Sequence, residues 1–383
     1  MNSRRVGVIM NGITGRMGQN QHLVRSILEI RAQGGVRIGE GEVIVPDPIL
    51  VGRNERRVRA VAEALGVERW STDLEKCLAN SEDEIYFDAQ KTLQRSDALR
   101  KAIAAGKHVY CEKPTATNLE TALELVRLAR AAGIRHGVVE DKLFLPGMIK
   151  LKRLVEGGFF GRILSVRGDF GYWVYEGDWQ LPQRPSWNFR SEDGGGIIVD
   201  MFSHWRYVLD DIVAPVKAVS CLGFTHIPER VDEEGKVYKA TAEDAAYGTF
   251  LLEGDIVAQM NSSWCTRVYR DDLFVLQIDG TEGSAIAGLH RCYSQHRANA
   301  PRPLWNPDLE ARTDYRADWI EVPDNGTFDN GFKAQWELFL KHVVCGDPFP
   351  WDLMDGAKSI QLAELGQQSW VERRWVDIPD LEA

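Results

Sequence analysis

A short apolar stretch, residues 6–10, runs directly into Gly12-Ile13-Thr14-Gly15-Arg16-Met17-Gly18, and a helical pattern then continues to about residue 31. A strand-to-helix turn carrying three glycines restricts the fold strongly. The glycines let backbone come close to a ligand, and the helix start behind them offers free amides and partial positive charge, the combination that holds a pyrophosphate. The spacing is G-x-x-G-x-x-G, where G-x-G-x-x-G is commoner, and glycine turns also serve tight packing. Gly12, Thr14, Gly15, Arg16 and Met17 are the candidate phosphate contacts.

The chain after this turn keeps alternating. Residues 48–51, a short strand after 65–70, and then 84–89, 108–111 and 135–140 read as strands, while 73–79, 96–105 and 119–132 read as helices, the last opened by a capping box at 117–120. Six alternations predict a doubly wound parallel sheet. This domain is expected to span residues 1–146. Residues 34–47 form an insertion, read as a small hairpin, that delays the second strand. That strand ends in Gly52-Arg53-Asn54, where an acid would favour NAD and an arginine accommodates the 2′-phosphate of NADP. Arg53 and Asn54 are thus cofactor candidates, and the expectation is NADP ahead of NAD. The alternative is a solvated cluster of Arg53 with Arg56, Arg57 and Arg59.

From residue 147 to 383 the rhythm changes. Strands are expected at 163–175, 217–225, 245–252, 256–263 and 273–279 with few helices between them, the pattern of an α+β domain with a large, open, mostly antiparallel sheet. Residues 291–330 read as a polar loop, and 332–344 and 355–371 as closing helices. An open sheet face predicts a homodimer or homotetramer. A chain of 383 residues fits two domains, and its net charge of -10 argues against nucleic acid or an anionic membrane as partner. The six cysteines include no close pair and no apolar run reaches the roughly 18 residues of a membrane span, so a reducing, cytoplasmic setting is expected. Arg4-Arg5 leaves no room for an export signal before the glycine turn.

Two stretches carry candidate chemistry. Residues 106–117 place Glu112, Lys113 and Pro114 at the carboxyl end of a buried strand, where open α/β sheets bind ligands. Pro114 restricts Lys113 to extended backbone. The second stretch is Gly194-Gly195-Gly196 followed by a helix over 197–209 carrying Asp200 and His204. Four residues apart, these share a helix face, so Asp200 can hold or tune an imidazole suited to proton transfer. The glycines would let backbone approach cofactor or substrate. A surface pair or a satisfied core histidine fits the same spacing, and no metal site is expected because no third and fourth ligand stand nearby. Tyr172, Trp173, Tyr175, Trp179 and Trp187 crowd the region before this helix. Aromatic faces suit sugar C–H surfaces, and Arg190, Asp169 and Lys142 could bind hydroxyls; core or subunit packing is the alternative for any single ring.

Taken in order, these motifs resemble the glucose-fructose oxidoreductase and inositol dehydrogenase (Gfo/Idh/MocA) family. The resemblance runs from the turn at 12–18 through Glu112-Lys113-Pro114 and the stretch 194–204 to the closing helices. It implies a Rossmann domain followed by an α+β domain, and nicotinamide-dependent hydride transfer to or from a sugar, cyclitol or glycoside hydroxyl or ketone. It also implies Lys113, Asp200 and His204 as the catalytic set, with Glu112 and Lys113 beside the nicotinamide. By the same resemblance, Gln90 stands in for the usual ribose contacts, because Ala89-Gln90-Lys91 replaces a Thr-Pro-Asn run. Lys142, Trp173, Trp187 and Arg190 are the substrate candidates. A non-catalytic dinucleotide-binding sensor and an imine or enone reductase are the alternatives.

Overall fold

The computed structural model describes residues 2–303, 306–310 and 313–382. Seven strands build the first sheet: β1 (Asn2–Asn11), β2 (Val36–Gly39), β3 (Glu42–Val51), β4 (Trp70–Ser71), β5 (Asp83–Asp88), β6 (His108–Cys111) and β7 (His136–Val138). Their order is β2-β3-β1-β5-β6-β7, with β4 also pairing β3, and every pairing is parallel except β2 with β3. This is the expected doubly wound sheet, whose strand order turns between β1 and β5. Val6, Val8, Ile9 and Met10 are fully buried, as a central parallel strand covered on both faces requires.

Several boundaries differ from the sequence reading for identifiable reasons. The 34–47 hairpin is present, but its second arm is the start of β3: strand β2 lies along residues 42–44, so β3 is ten residues long and pairs β1 from Asn2 onward. The helix Leu119–Ala131 is capped by Asn118, whose side chain accepts the Thr121 amide, and not by Thr117. The helix expected at 96 begins at Thr92. A helix over Pro146–Glu156, opened by its proline at the first turn, was not foreseen.

The contacts divide the chain into one unit of Met1–Phe144, Asp329–Glu364 and Asp380–Ala383, and another of Leu145–Phe328 and Leu365–Pro379. The sequence boundary at 146 follows the change of rhythm, whereas packing assigns later segments by the core they complete. In the first unit Trp336, Phe339, Leu340 and Phe349 join Val8, Met10 and Phe87 on one side of the sheet, and Leu353, Ala357 and Ile360 join Ile9 and Val109 on the other. Phe339 stacks on Tyr110 with ring centres 4.6 Å apart.

The second unit carries β8 (Ile163–Gly171), β9 (Val216–Phe224), β10 (Glu229–Val231), β11 (Val237–Lys239), β12 (Ala245–Leu252), β13 (Ile256–Ser263), β14 (Phe274–Gly280), β15 (Gly283–Ala287), β16 (Cys292–His296), β17 (Ile320–Glu321) and β18 (Val376–Asp377). Nine of them form one sheet in the order β17-β16-β15-β14-β8-β13-β12-β9-β18, antiparallel except between β8 and β13, and β10-β11 is a separate hairpin. The expected loop at 291–330 therefore begins as a sheet strand; its residues 304, 305, 311 and 312 lie outside the described residues. The long helix Ile197–Ile212 covers one face, where Trp205 stacks on Phe274 and donates to Ser262 at 2.9 Å. On the strands, Leu222, Phe224, Tyr247, Leu251 and Val257 remain exposed. Among the described residues no helix is long and apolar enough to cross a membrane.

Candidate active site

In the first unit the glycine turn leaves the end of β1 with Gly12 at φ 83°. A Cβ there would meet the Ala89 carbonyl carbon and the Gln90 nitrogen at 2.6 Å, so the turn lies directly against the chain leaving β5. Gly18 is equally confined, 2.7 Å from the Gly12 oxygen by the same measure. Gly15 has only that oxygen near it, at 3.3 Å, and Thr14, Gly15 and Arg16 face solvent. The helix behind them starts with wide π turns over Met17–Leu28 and continues as α over Glu29–Ala32. Exposed backbone at Thr14, Gly15 and Arg16, before a helix start and above two packed glycines, is a fitting cradle for a pyrophosphate. Alongside lies a cleft of about 290 Å³ lined by Asn11, Gly52, Arg53, Gln90, Gln94 and Lys101 among others. Arg53 and Gln90 thus reach one cleft between β3 and β5, at the place where the strand order turns, and its size and polar lining fit the nucleoside half of a dinucleotide. Asn54 serves the fold instead, because its side-chain oxygen caps the helix Glu55–Leu65 by accepting the Arg57 amide at 3.0 Å.

A buried polar chain fixes the floor of this cleft. Asn11 donates to the Tyr86 hydroxyl at 2.8 Å, Tyr86 donates to Asp88 at 2.7 Å, and Asp88 receives the Arg95 Nε at 3.0 Å and the Gln90 amide at 3.0 Å. Burial and the adjacent Asp88 carboxylate push the Tyr86 phenol well above its ordinary range, so it remains a donor. Arg95 was not singled out in the sequence.

Glu112 and Lys113 close β6. Glu112 is buried and turned inward, its Oε1 2.8 Å from His22 Nε2 and its Oε2 accepting the Lys113 amide at 3.2 Å. The sequence placed Glu112 at the cofactor; the structure gives it an internal role, as the clamp that precedes the lysine. Burial raises its carboxyl, but the His22 hydrogen bond and the charges of Arg95 and Lys113 outweigh burial and hold it below the usual range. Lys113 itself is half-buried and its bond to Pro114 is cis. Lys142, on a short 3-10 turn Asp141–Phe144, pairs with its neighbour Asp141 at 3.0 Å.

In the second unit, His204 is buried in the middle of the helix Ile197–Ile212 and its Nδ1 is 2.6 Å from the Tyr207 hydroxyl. Asp200, one turn earlier, meets Arg184 at 3.3 Å. Each member of the pair read from spacing thus has its own partner, Arg184 for Asp200 and Tyr207 for His204. The Arg184 guanidinium lies over the Trp264 ring at 4.3 Å and donates to Tyr172 at 3.2 Å and Asn188 at 3.3 Å. Such a planar, stacked cation can hold a carboxylate in one orientation.

The sequence expects the three glycines to let backbone approach a ligand; at Gly195 and Gly196 the space is taken by the protein itself, while Gly194 has open space. A Cβ on Gly195 would strike the Trp187 oxygen at 2.3 Å, and one on Gly196 would strike the Glu243 carboxylate at 2.5 Å. Glu243 occupies that space and accepts the Ile198 amide at 2.9 Å, satisfying a free donor at the helix start. Burial raises its carboxyl above the usual range, with Asp244 adding to the effect and hydrogen bonds from backbone opposing it.

The substrate candidates separate. Tyr172 reaches Asp200 through Arg184, whereas Trp173, next along the chain, lies under Arg267 at 4.0 Å and lines a recess of about 500 Å³ with Asp169, Tyr247 and Asn261. Trp187 is exposed and Arg190 stacks on Tyr238 at 4.6 Å. Among the described residues, no group of three or more His, Cys, Asp or Glu side chains could hold a metal ion.

Two family models match the chain: an oxidoreductase-family, NAD-binding Rossmann domain over residues 40–139 and a GFO/IDH/MocA C-terminal domain over 148–286. D-xylose dehydrogenase from Paenarthrobacter nicotinovorans is 56% identical over 380 residues, covering 98% of each chain. The 1,5-anhydro-D-fructose reductase of Ensifer adhaerens is 28% identical over 88% of this chain and 94% of its own. Among solved structures, levoglucosan dehydrogenase in complex with NADH and levoglucosan superposes with a TM-score of 0.79 at 21% identity, covering 98% of this chain and all of the other.

Proposed function

The chain belongs to the GFO/IDH/MocA oxidoreductase family, with an NAD-binding Rossmann domain, and from that premise we propose that its substrate is an aldopentose of the D-xylose type, oxidised at the anomeric carbon. It is an enzyme that transfers a hydride between a nicotinamide dinucleotide and a carbohydrate CH–OH group. One observation carries the choice of sugar: the 56% identity to a D-xylose dehydrogenase across nearly the whole of both chains. At that level the residues around a sugar are expected to be largely shared, which the more distant anhydro-sugar enzymes do not offer.

When bound, the nicotinamide ring supplies the hydride acceptor, or in reverse the donor. The other roles belong to side chains of this protein. His204 takes the proton of the sugar hydroxyl at Nε2; for that nitrogen to have a lone pair, Nδ1 carries the hydrogen and donates to Tyr207. Lys113 presents a compact positive charge to the oxygen as negative charge develops on it. Asp200, held by Arg184, stands one turn before the histidine on the same helix and supplies negative charge on that face. Loss of hydride from C1 and of the proton from its hydroxyl leaves a lactone, and the electrons balance in the reduced nicotinamide.

The coenzyme reading favours NADP: Arg53 lines the nucleoside cleft and no acid ends β3. We place the protein in the cytoplasm, consistent with six unpaired cysteines, and as a homodimer or homotetramer joined through the sheet strands that expose Leu222, Phe224, Tyr247 and Val257. Absorbance at about 340 nm, where reduced nicotinamide absorbs, with both nicotinamides and a panel of D-xylose, other aldoses, levoglucosan and 1,5-anhydro-D-fructose tests the substrate. D-xylose should give the highest kcat/KM; turnover confined to anhydro sugars refutes the pentose. Lys113→Ala and His204→Ala should each lower kcat by about 10²–10⁴ with the fold retained, and wild-type turnover in either removes that residue from the catalytic set.

A further inference from the structure

We propose that Lys113 is positioned by a buried polar frame with two arms: His22, acting through Glu112 on one side of the lysine, and Arg95, acting through the Pro114 carbonyl on the other. The inference rests on the reading of Lys113 as a catalytic residue. Neither His22 nor Arg95 can touch a ligand, their side chains being 0% and 3% exposed. Their partners show what they hold.

On the first arm the Trp336 indole, which can only donate, gives its N–H to His22 Nδ1 at 3.0 Å. In a neutral imidazole the hydrogen is then on Nε2, and it goes to Glu112 Oε1 at 2.8 Å. The other carboxylate oxygen takes the amide of Lys113. Phe87 and Phe332 pack on the His22 ring at 4.3 and 5.1 Å, so the ring has no freedom to release Glu112. The direction of every hydrogen bond in this arm is fixed by the indole at its end. The residue before the lysine is thereby held in one orientation.

The second arm uses the fork of a guanidinium. Arg95 gives Nε to Asp88 at 3.0 Å, Nη2 to the Gln90 carbonyl at 2.6 Å and Nη1 to the Pro114 carbonyl. One side chain thus ties the loop after β5, which lines the nucleoside cleft, to the turn that carries Lys113. A lysine could match the charge of Asp88 but could not present this planar fork to both carbonyls. The loop at 89–91, where the sequence departs from the family pattern, is the one that Arg95 braces.

The two arms predict different kinetic signatures. No hydrogen bond of His22 reaches the 89–91 loop, so His22→Leu should lower kcat by about ten- to a hundredfold, the cost of a misplacement of about 1 Å, and leave the nucleotide KM unchanged. His22→Gln, whose amide accepts from Trp336 and donates to Glu112, should restore most of that loss. Arg95→Lys should lower kcat and raise the nucleotide KM together, because Gln90 moves as well. A role in stability alone would shift melting temperature without separating kcat from KM. A second readout needs no turnover: limited acetylation by acetic anhydride, followed by mass spectrometry, should show the Lys113 amine modified at a different rate relative to Lys142 in His22→Leu and Arg95→Lys. If His22→Leu does not fold, the glutamine and Arg95→Lys variants still decide the matter. Turnover lost in Lys113→Ala but unchanged in the frame variants, with Lys113 acetylated at the wild-type rate, overturns the frame alone. Turnover surviving in Lys113→Ala overturns the catalytic reading and with it the purpose of the frame.

Discussion

Gly12→Ala and Gly15→Ala each add one methyl group to the same turn, yet the structure assigns them different effects. At Gly12 a side chain faces two costs. Its φ of 83° lies in the left-handed region, which costs an L-residue roughly 1–2 kcal/mol. Its Cβ would also lie 2.6 Å from two backbone atoms of residues 89 and 90, and forcing extra carbon into packed surroundings typically costs about 1–3 kcal/mol. Those atoms cannot rotate away as a side-chain end could, so the total is about 2–5 kcal/mol, a large part of the roughly 5–15 kcal/mol that holds a domain. At Gly15 the nearest atom is the Gly12 oxygen at 3.3 Å, which needs to give by only a few tenths of an ångström. The penalty to folding is therefore below about 1 kcal/mol. The new methyl instead stands on the exposed cradle and should weaken NADH binding about tenfold, equivalent to about 1.4 kcal/mol. Urea unfolding and hydrogen-exchange mass spectrometry of the nucleotide-free protein, with NADH titration by fluorescence, separate the two. Gly12→Ala should lose protection in the peptides spanning β1 and β5, and Gly15→Ala should keep it while binding poorly. Equal protection in Gly12→Ala and wild type, or equal loss in both variants, would refute the steric argument.

Three further outcomes follow from buried groups. Arg230 and Asp244 form an ion pair whose side chains are 1% and 0% exposed, with Arg230 stacked 3.8 Å from the centre of the Phe189 ring; Arg230→Met leaves Asp244 buried without its cation and should destabilise the second unit by about 3–5 kcal/mol, read by urea denaturation, and a loss under about 1 kcal/mol would count against it. Because the Glu243 carboxyl is raised in the folded state, it binds its proton more tightly there than in the unfolded chain. Its contribution is therefore fully present below the ordinary carboxylate value and is lost as pH rises through the folded value. The stability of wild type relative to Glu243→Gln should fall across that window, and a difference that grows with pH contradicts the assignment. Tyr207→Phe removes the group that orients the His204 imidazole and should reduce kcat about tenfold or more with little change in sugar KM; an unchanged kcat across the pH range would leave Tyr207 a packing residue.

What the sequence revealed and what it concealed follow from the range over which each signal acts. The β1 turn, the six alternations and the helix with Asp200 and His204 were readable because each is written within about twenty neighbouring residues, in glycine position or in apolar period. The doubly wound, parallel character of the first sheet came with them, whereas its strand order is read only from the pairing. The closing helices were found as helices, but nothing local tells which core Trp336 or Leu353 completes; that is settled by Tyr110 and Val109, more than two hundred positions earlier.

The same distance explains what stays hidden from the sequence around the candidate site. Tyr172 and Trp173 both follow the end of β8 at Gly171, and nothing local tells which of two adjacent rings meets Arg184 and which lies under Arg267. Arg184 has no motif around it. Its position is set by the Trp264 ring, eighty residues later, and by Tyr172, so only the folded sheet brings it to Asp200. Glu112 shows the reverse problem. Its place beside Lys113 was plain, and proximity in sequence suggested a shared ligand, but a carboxylate at the end of a buried strand must first be satisfied by its own surroundings. His22 and the Lys113 amide satisfy it. Hence a residue adjacent to a candidate catalytic one is as readily its support as its partner. The choice is made by which way the side chain turns, a property of the whole fold and not of the three residues Glu112, Lys113 and Pro114.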